Sequence, residues 1–132
     1  MFPGIAELLD ELERRGVLWG VVTNKAERFT KPLLECLGLN ERAACVVCGD
    51  TAARPKPDPA PLLMACDLAK VRVADAIYVG DDLRDVIAGR AARMHTAIAA
   101  WGYLSGGAIT EWGADKIIDS PAQVIELIDA KW

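Results

Sequence analysis

With 132 residues, 52% of them hydrophobic, and a mean hydropathy of +0.18, the chain is long enough to bury a core and too apolar for general disorder. Its 15 Lys and Arg against 19 Asp and Glu give a net charge of −4 and an isoelectric point near 5.0, which argues against a nucleic-acid partner. An anionic ligand would then depend on a local cation.

The apolar residues Ile5, Leu8, Leu9 and Leu12 recur at helical spacing, and Arg14, Arg15 and Gly16 close this first helix near Arg15. Val17 to Thr23 is a nearly continuous apolar run, as expected of a parallel strand buried on both faces, and Thr23-Asn24 break it. A helix follows over Glu27 to Leu37, stopped by Gly38, and then a second buried strand over Ala43 to Cys48 that runs into Gly49-Asp50. The next loop is rich in proline and carries Arg54 and Lys56. Asp58 to Ala69 reads as a helix with an Asp cap and its prolines confined to the first turn. Ala76 to Val79 is a third strand, Asp82 to Arg93 a helix, and His95 to Ala100 a fourth strand. Ala114 to Ile118 reads as a short edge strand, and a last helix starts from Pro121.

Strands alternating with helices of this length predict an α/β fold: one Rossmann-like, three-layer α/β/α domain over 1–132 with a mainly parallel sheet. Ile98 to Ile109 is too interrupted by Gly102, Ser105, Gly106 and Gly107 to span a membrane, and Met1-Phe2-Pro3-Gly4 does not resemble a secretory signal. A cytoplasmic protein with no membrane or nucleic-acid partner is expected. Cys45-Val46-Val47-Cys48 matches C-x-x-C, but residues three apart on a strand face opposite ways, and there is no second Cys pair and a single His. These cysteines are read as buried and structural, and His95 as the start of a strand.

In open parallel sheets, ligands bind beyond the carboxyl ends of the strands. Thr23 and Asn24 end the first strand, Lys56 follows the second, and Asp81, Asp82 and Asp85 follow the third. Each group has a plain structural reading: an acidic helix cap, a Thr-Asn turn, a loop into a helix. Their joint placement at three strand ends favours a site. A lysine and a hydroxyl suit the equatorial oxygens of a transferring phosphoryl group, and Asp81 with one acidic partner suits Mg2+, which takes one or two carboxylates plus phosphate and water.

Gly20-Val21-Val22-Thr23-Asn24-Lys25, Lys56-Pro57-Asp58-Pro59 and Tyr78-Val79-Gly80-Asp81-Asp82-Leu83-Arg84-Asp85, followed by Gly89-Arg90-Ala91-Ala92, resemble motifs two to four of the haloacid dehalogenase superfamily, in its phosphoglycolate phosphatase-like branch. Trp19 to Lys25, Gly80 to Asp85 and Trp112-Gly113-Ala114-Asp115 are closer still to the N-acetylmuramic acid 6-phosphate phosphatases of that branch. The resemblance implies hydrolysis of a small phosphomonoester through an aspartyl-phosphate with Mg2+ bound. It implies that Thr23 holds the phosphoryl group, that Asn24 assists by backbone or amide contact, and that Lys56 neutralises the nucleophile. Asp81 would bind the metal, and Asp85 would support the metal shell or orient Lys56.

The departure from the family is large. Its nucleophile motif, a strand ending in Asp-x-Asp-Gly-Thr, is missing, and Asp10 lies inside the helical Leu8 to Leu12 stretch. The cap domain that selects substrate is missing as well. In the family the nucleophile strand lies between the strands ending here at Thr23 and Gly80. Without it, those strands either pair directly or leave exposed edges that favour association. The chain is therefore expected to be the C-terminal part of a longer phosphatase or a truncated product, inert alone, with 2-phosphoglycolate or N-acetylmuramic acid 6-phosphate as the parent's substrate. A non-catalytic phosphate- or metal-binding module, or a subunit receiving the missing strand from a partner, is the alternative. Lys56→Ala in a reconstituted enzyme is expected to cost activity more than stability.

Overall fold

The computed structural model describes residues 2–102, 104 and 107–130. Met1, Ser105 and Gly106, on which the sequence reading drew, lie outside them. The expected order of elements is present: α1 (Ile5–Arg14), β1 (Val21–Val22), α2 (Glu27–Cys36), β2 (Val46–Val47), α3 (Ala60–Ala69), β3 (Ile77–Gly80), α4 (Leu83–Ala91), β4 (His95–Ala99), β5 (Lys116–Ile118) and α5 (Gln123–Asp129). Short 3₁₀ turns at Val73–Asp75 and Ile109–Glu111 lie in the connections.

The fold is three-layered, because alternate strand residues face opposite helices. Val22 and Tyr78 pack on one side against Leu62 and Cys66 of α3 and Ala88 of α4, with Ala92 and Met94 beside them. On the other side Val21 and Val46 meet Leu9 and Leu12 of α1 and Leu34 of α2. Ile77 and Val79 meet Val124 and Leu127 of α5 on that same side. All observed strand pairs are parallel.

The sheet differs from the single one expected. It is split into β1-β2 and β3-β4-β5, with β1 and β3 each an unpaired edge. Of the two outcomes foreseen for those strands, direct pairing does not occur and the edges stay open. A cavity of about 1290 Å³ lies between the two sheets, lined by Gly20, Val22, Cys45, Cys66, Ile77 and Val79 among others.

The same gap explains why the expected strand over Val17 to Thr23 shrinks to Val21–Val22. The ladder is supported from β2 alone, through Val21 N–H to Cys45 O at 3.0 Å and Thr23 N–H to Val47 O at 2.9 Å. The expected Ala43 to Cys48 strand likewise narrows to Val46–Val47. Cys48 is buried as expected, but Cys45 is half-exposed because it lines the gap, and all four cysteines are unbridged. His95 opens β4. Among the described residues, no helix is long and apolar enough to cross a membrane.

Candidate active site

The strand ends deliver their polar groups to one front. Thr23 leaves β1 with its Oγ accepting the Lys25 N–H at 3.1 Å, a local turn bond that leaves the hydroxyl proton available to donate. The Asn24 side chain forms a reciprocal clamp with the main chain of Lys56: Oδ1 accepts the Lys56 N–H at 3.0 Å, and Nδ2 donates to the Lys56 carbonyl at 3.1 Å. Asn24 thus fixes the loop after β2 to the end of β1, a use of its amide that sequence reasoning missed.

Lys56 then reaches inward across the front. Its Nζ donates to Asp85 Oδ1 at 2.5 Å and to the Tyr78 hydroxyl at 2.7 Å, and the Lys56 and Asp85 side chains are only 9% and 8% exposed. The other Asp85 oxygen accepts the N–H groups of Asp81 at 3.0 Å and Asp82 at 3.1 Å. Asp82 caps α4, its Oδ1 accepting the Arg84 N–H at 2.8 Å, and with Asp85 it completes a capping box. The Arg84 guanidinium beside it holds the Asp82 carboxyl below its ordinary range. Both Asp85 oxygens are engaged: one binds the Lys56 ammonium, the contact that the second of its two implied roles calls for, and the other caps the helix.

Two glycines allow this crowding. A Cβ at Gly80 would fall 2.4 Å from the Asp85 Cβ, and one at Gly102 would fall 2.5 Å from the Asp81 Cβ. The first lets Asp85 fold back under the end of β3, and the second brings the segment after β4 against Asp81. Tyr78 opens the stretch that resembles motif four, but the sequence assigns its side chain no role. Its hydroxyl touches Lys56 and also donates to the Val22 carbonyl at 3.0 Å, joining β1 to β3 across the gap. Burial, and then the Asp85 charge, push the phenol above its ordinary range, so it stays protonated.

The front can neutralise and orient an anion. Lys56 is a nearly buried cation held by one carboxylate and one neutral oxygen, and Thr23 adds a donor without adding charge. The fit to a divalent cation is partial. Among the described residues no group of three or more His, Cys, Asp or Glu side chains could cage a metal, and Asp85 is committed elsewhere. Asp81, half-buried just past the end of β3, is a carboxylate whose chemistry suits one position of a hydrated Mg2+ shell. The rest of such a shell would come from phosphate, water and a group outside these residues.

The sequence model for haloacid dehalogenase-like hydrolases matches residues 1–99. The chain belongs to that family. It is 44% identical over 131 residues to the N-acetylmuramic acid 6-phosphate phosphatase of Pseudomonas putida, covering 98% of this chain and 59% of the relative. It is 42% identical over 127 residues to the phosphoglycolate phosphatase of Xanthomonas campestris, covering 96% and 58%. Among solved structures, CbbY from Rhodobacter sphaeroides in complex with phosphate superposes with a TM-score of 0.84 at 26% identity, covering 97% of this chain and 58% of that one. A predicted phosphoglycolate phosphatase from Haemophilus somnus gives a TM-score of 0.88 at 26% identity, covering 96% and 56%. The chain therefore spans a little under three fifths of the length of each of these proteins.

Proposed function

We propose that this chain supplies one half of a phosphomonoester hydrolase site and that the nucleophilic carboxylate comes from a β-strand outside these residues, seated between β1 and β3. The observation that carries the reading is the buried Lys56–Asp85 pair, clamped by Asn24 to the end of β1 and standing at the mouth of an open gap flanked by two unpaired parallel strand edges. A strand seated there would satisfy both edges and bring its carboxyl end to Lys56. Association through the gap is thus part of the function.

In this reading Thr23 donates to a phosphoryl oxygen. Lys56 offsets the negative charge that grows as the ester oxygen leaves, and Asn24 and Asp85 keep Lys56 in place. Asp81 is the carboxylate this chain would offer to Mg2+, which when bound polarises the phosphoryl group. The substrate class is a small phosphorylated metabolite, with 2-phosphoglycolate first and N-acetylmuramic acid 6-phosphate second, because relatives of both names match over nearly the whole chain. Unbridged cysteines suit a cytoplasmic setting.

The test fuses the unmatched part of the Pseudomonas putida relative to this chain. Phosphate release from both substrates is measured with magnesium, with and without chelator, beside the folded 132-residue chain alone. Chelator-sensitive turnover by the fusion and none by the chain is the expected result. Turnover by the chain alone would place the nucleophile inside it, and an inert but folded fusion would remove the phosphatase reading.

A further inference from the structure

Lys56 has three N–H donors, and Asp85 and the Tyr78 hydroxyl take two of them. A cation held by a carboxylate alone can swing about that single contact. A second acceptor on a rigid ring fixes its direction. The Tyr78 hydroxyl is itself fixed, since the Val22 carbonyl at 3.0 Å is the nearer of its two acceptors, Asp85 Oδ1 lying at 3.3 Å, and its ring packs in the cluster of Leu62, Cys66, Ala88 and Ala92. Val22 immediately precedes Thr23. The chain of contacts Val22 carbonyl, Tyr78 hydroxyl, Lys56 ammonium therefore sets the cation relative to the backbone that carries the Thr23 hydroxyl.

We propose that Tyr78 is a positioning residue: its hydroxyl aims the Lys56 ammonium and fixes it relative to Thr23 across the gap between β1 and β3. The positioning stands on the hydrogen bonds, and only the identity of the anion that Lys56 meets rests on the function proposed above. A neutral hydroxyl suits the task better than a second carboxylate, because it directs the ammonium without adding a negative charge that an incoming phosphate would have to overcome. The phenol's burial keeps it in that neutral form. Seating a strand in the gap does not displace this arrangement, since a carbonyl oxygen carries two lone pairs and Val22 has one left to accept a strand N–H.

Tyr78→Phe in the 132-residue chain keeps the ring and removes the hydroxyl. The readout is the acylation rate of the Lys56 amine by an amine-reactive ester, followed by peptide mass spectrometry and normalised to the exposed Lys25 and Lys31. Loss of the second acceptor is expected to speed Lys56 acylation about tenfold, the scale of one hydrogen bond to a charged group. Cys66→Ala, which loosens the same cluster without touching Lys56, is expected to change it less than about twofold on the same scale. An unchanged Lys56 rate in folded Tyr78→Phe overturns the proposal, as does an equal acceleration in Cys66→Ala. Because this measurement needs no turnover, an inactive fusion with a shielded Lys56 would count against the phosphatase reading and leave the positioning role standing.

Discussion

The two sheets use the same kinds of residue and reach different ends. In the β3-β4-β5 half, β4 has a parallel neighbour on each side, and Thr96 to Ala99 are all buried, with Ile98 at 0% exposure. In the β1-β2 half, Val21 and Val22 are as suited to a strand as Ile98, yet both stay half-exposed and the strand extends no further. The difference teaches that completeness of a strand is a property of its neighbours. β1 lacks one of its two, and the cavity occupies the vacant side. Besides the apolar packing of α3 against α4 and of α1 against α5, the described residues join the halves through two very different polar seams, a buried one at Lys56, Asp85 and Tyr78, and an exposed one where Arg15 of the α1 C-terminus meets Asp129 of α5.

The largest expected effect breaks the buried seam. Lys56→Ala would leave the Asp85 carboxylate, 8% exposed, without its cation inside the protein, and breaking such a pair costs about 3–5 kcal/mol. Urea unfolding of the variant against the parent chain measures this directly. The stability cost adds to the loss of activity expected of Lys56→Ala in a reconstituted enzyme, because the cation also joins the loop after β2 to α4. A loss under about 1 kcal/mol would mean that the pair behaves as a solvated surface contact.

A smaller effect is expected from truncating one strand residue in each sheet. Ile98→Ala removes a fully buried side chain flanked by Val86 and Trp112 and is expected to cost about 2–5 kcal/mol. Val21→Ala removes a half-exposed one facing Leu9 and Leu34 and is expected to cost about 1 kcal/mol or less. Equal losses in the two variants would show that the gap side is packed as tightly as the other sheet. In a chain whose gap has received a strand, the Val21→Ala cost should rise toward that of Ile98→Ala.

What the sequence disclosed follows the same division. β3, β4 and the helices α1, α2 and α4 lie within two or three residues of the positions read from apolar spacing and breakers, and the Asp82 cap was one of the plain readings considered. Those signals are local. The contraction of Val17–Thr23 to two residues was not legible, because a run of strand-forming residues carries no mark of whether its neighbour is present. The Asn24 clamp on Lys56 and the Tyr78 bridge to Val22 join residues 32 and 56 positions apart, and no periodicity reports such a meeting. Nor could local spacing show that the N-terminus of α2 is held by Asp50, whose carboxylate accepts the Glu27 N–H at 2.9 Å from the loop after β2.

The smallest effect is expected at the exposed seam. Glu11 binds Arg14 at 2.8 Å and Arg15 at 2.8 Å, and Arg15 reaches Asp129 at 3.0 Å, so Glu11 steadies the arginine that links α1 to α5. Arg14 and then Arg15 hold its carboxyl at about 2, below the ordinary 4.5. A depressed folded value means that the contribution is present above 4.5 and is lost as pH falls toward 2. Glu11→Gln should therefore lower Tm slightly near pH 6, by less than Val21→Ala does, and the difference from the parent should fade as pH is lowered through that window. Salt should shrink it as well, because these charges are in contact with water. A Glu11→Gln loss that exceeded the Val21→Ala loss, or that persisted at pH 2, would move the joint between the two halves from the buried front to the surface and reverse the ranking of the seams.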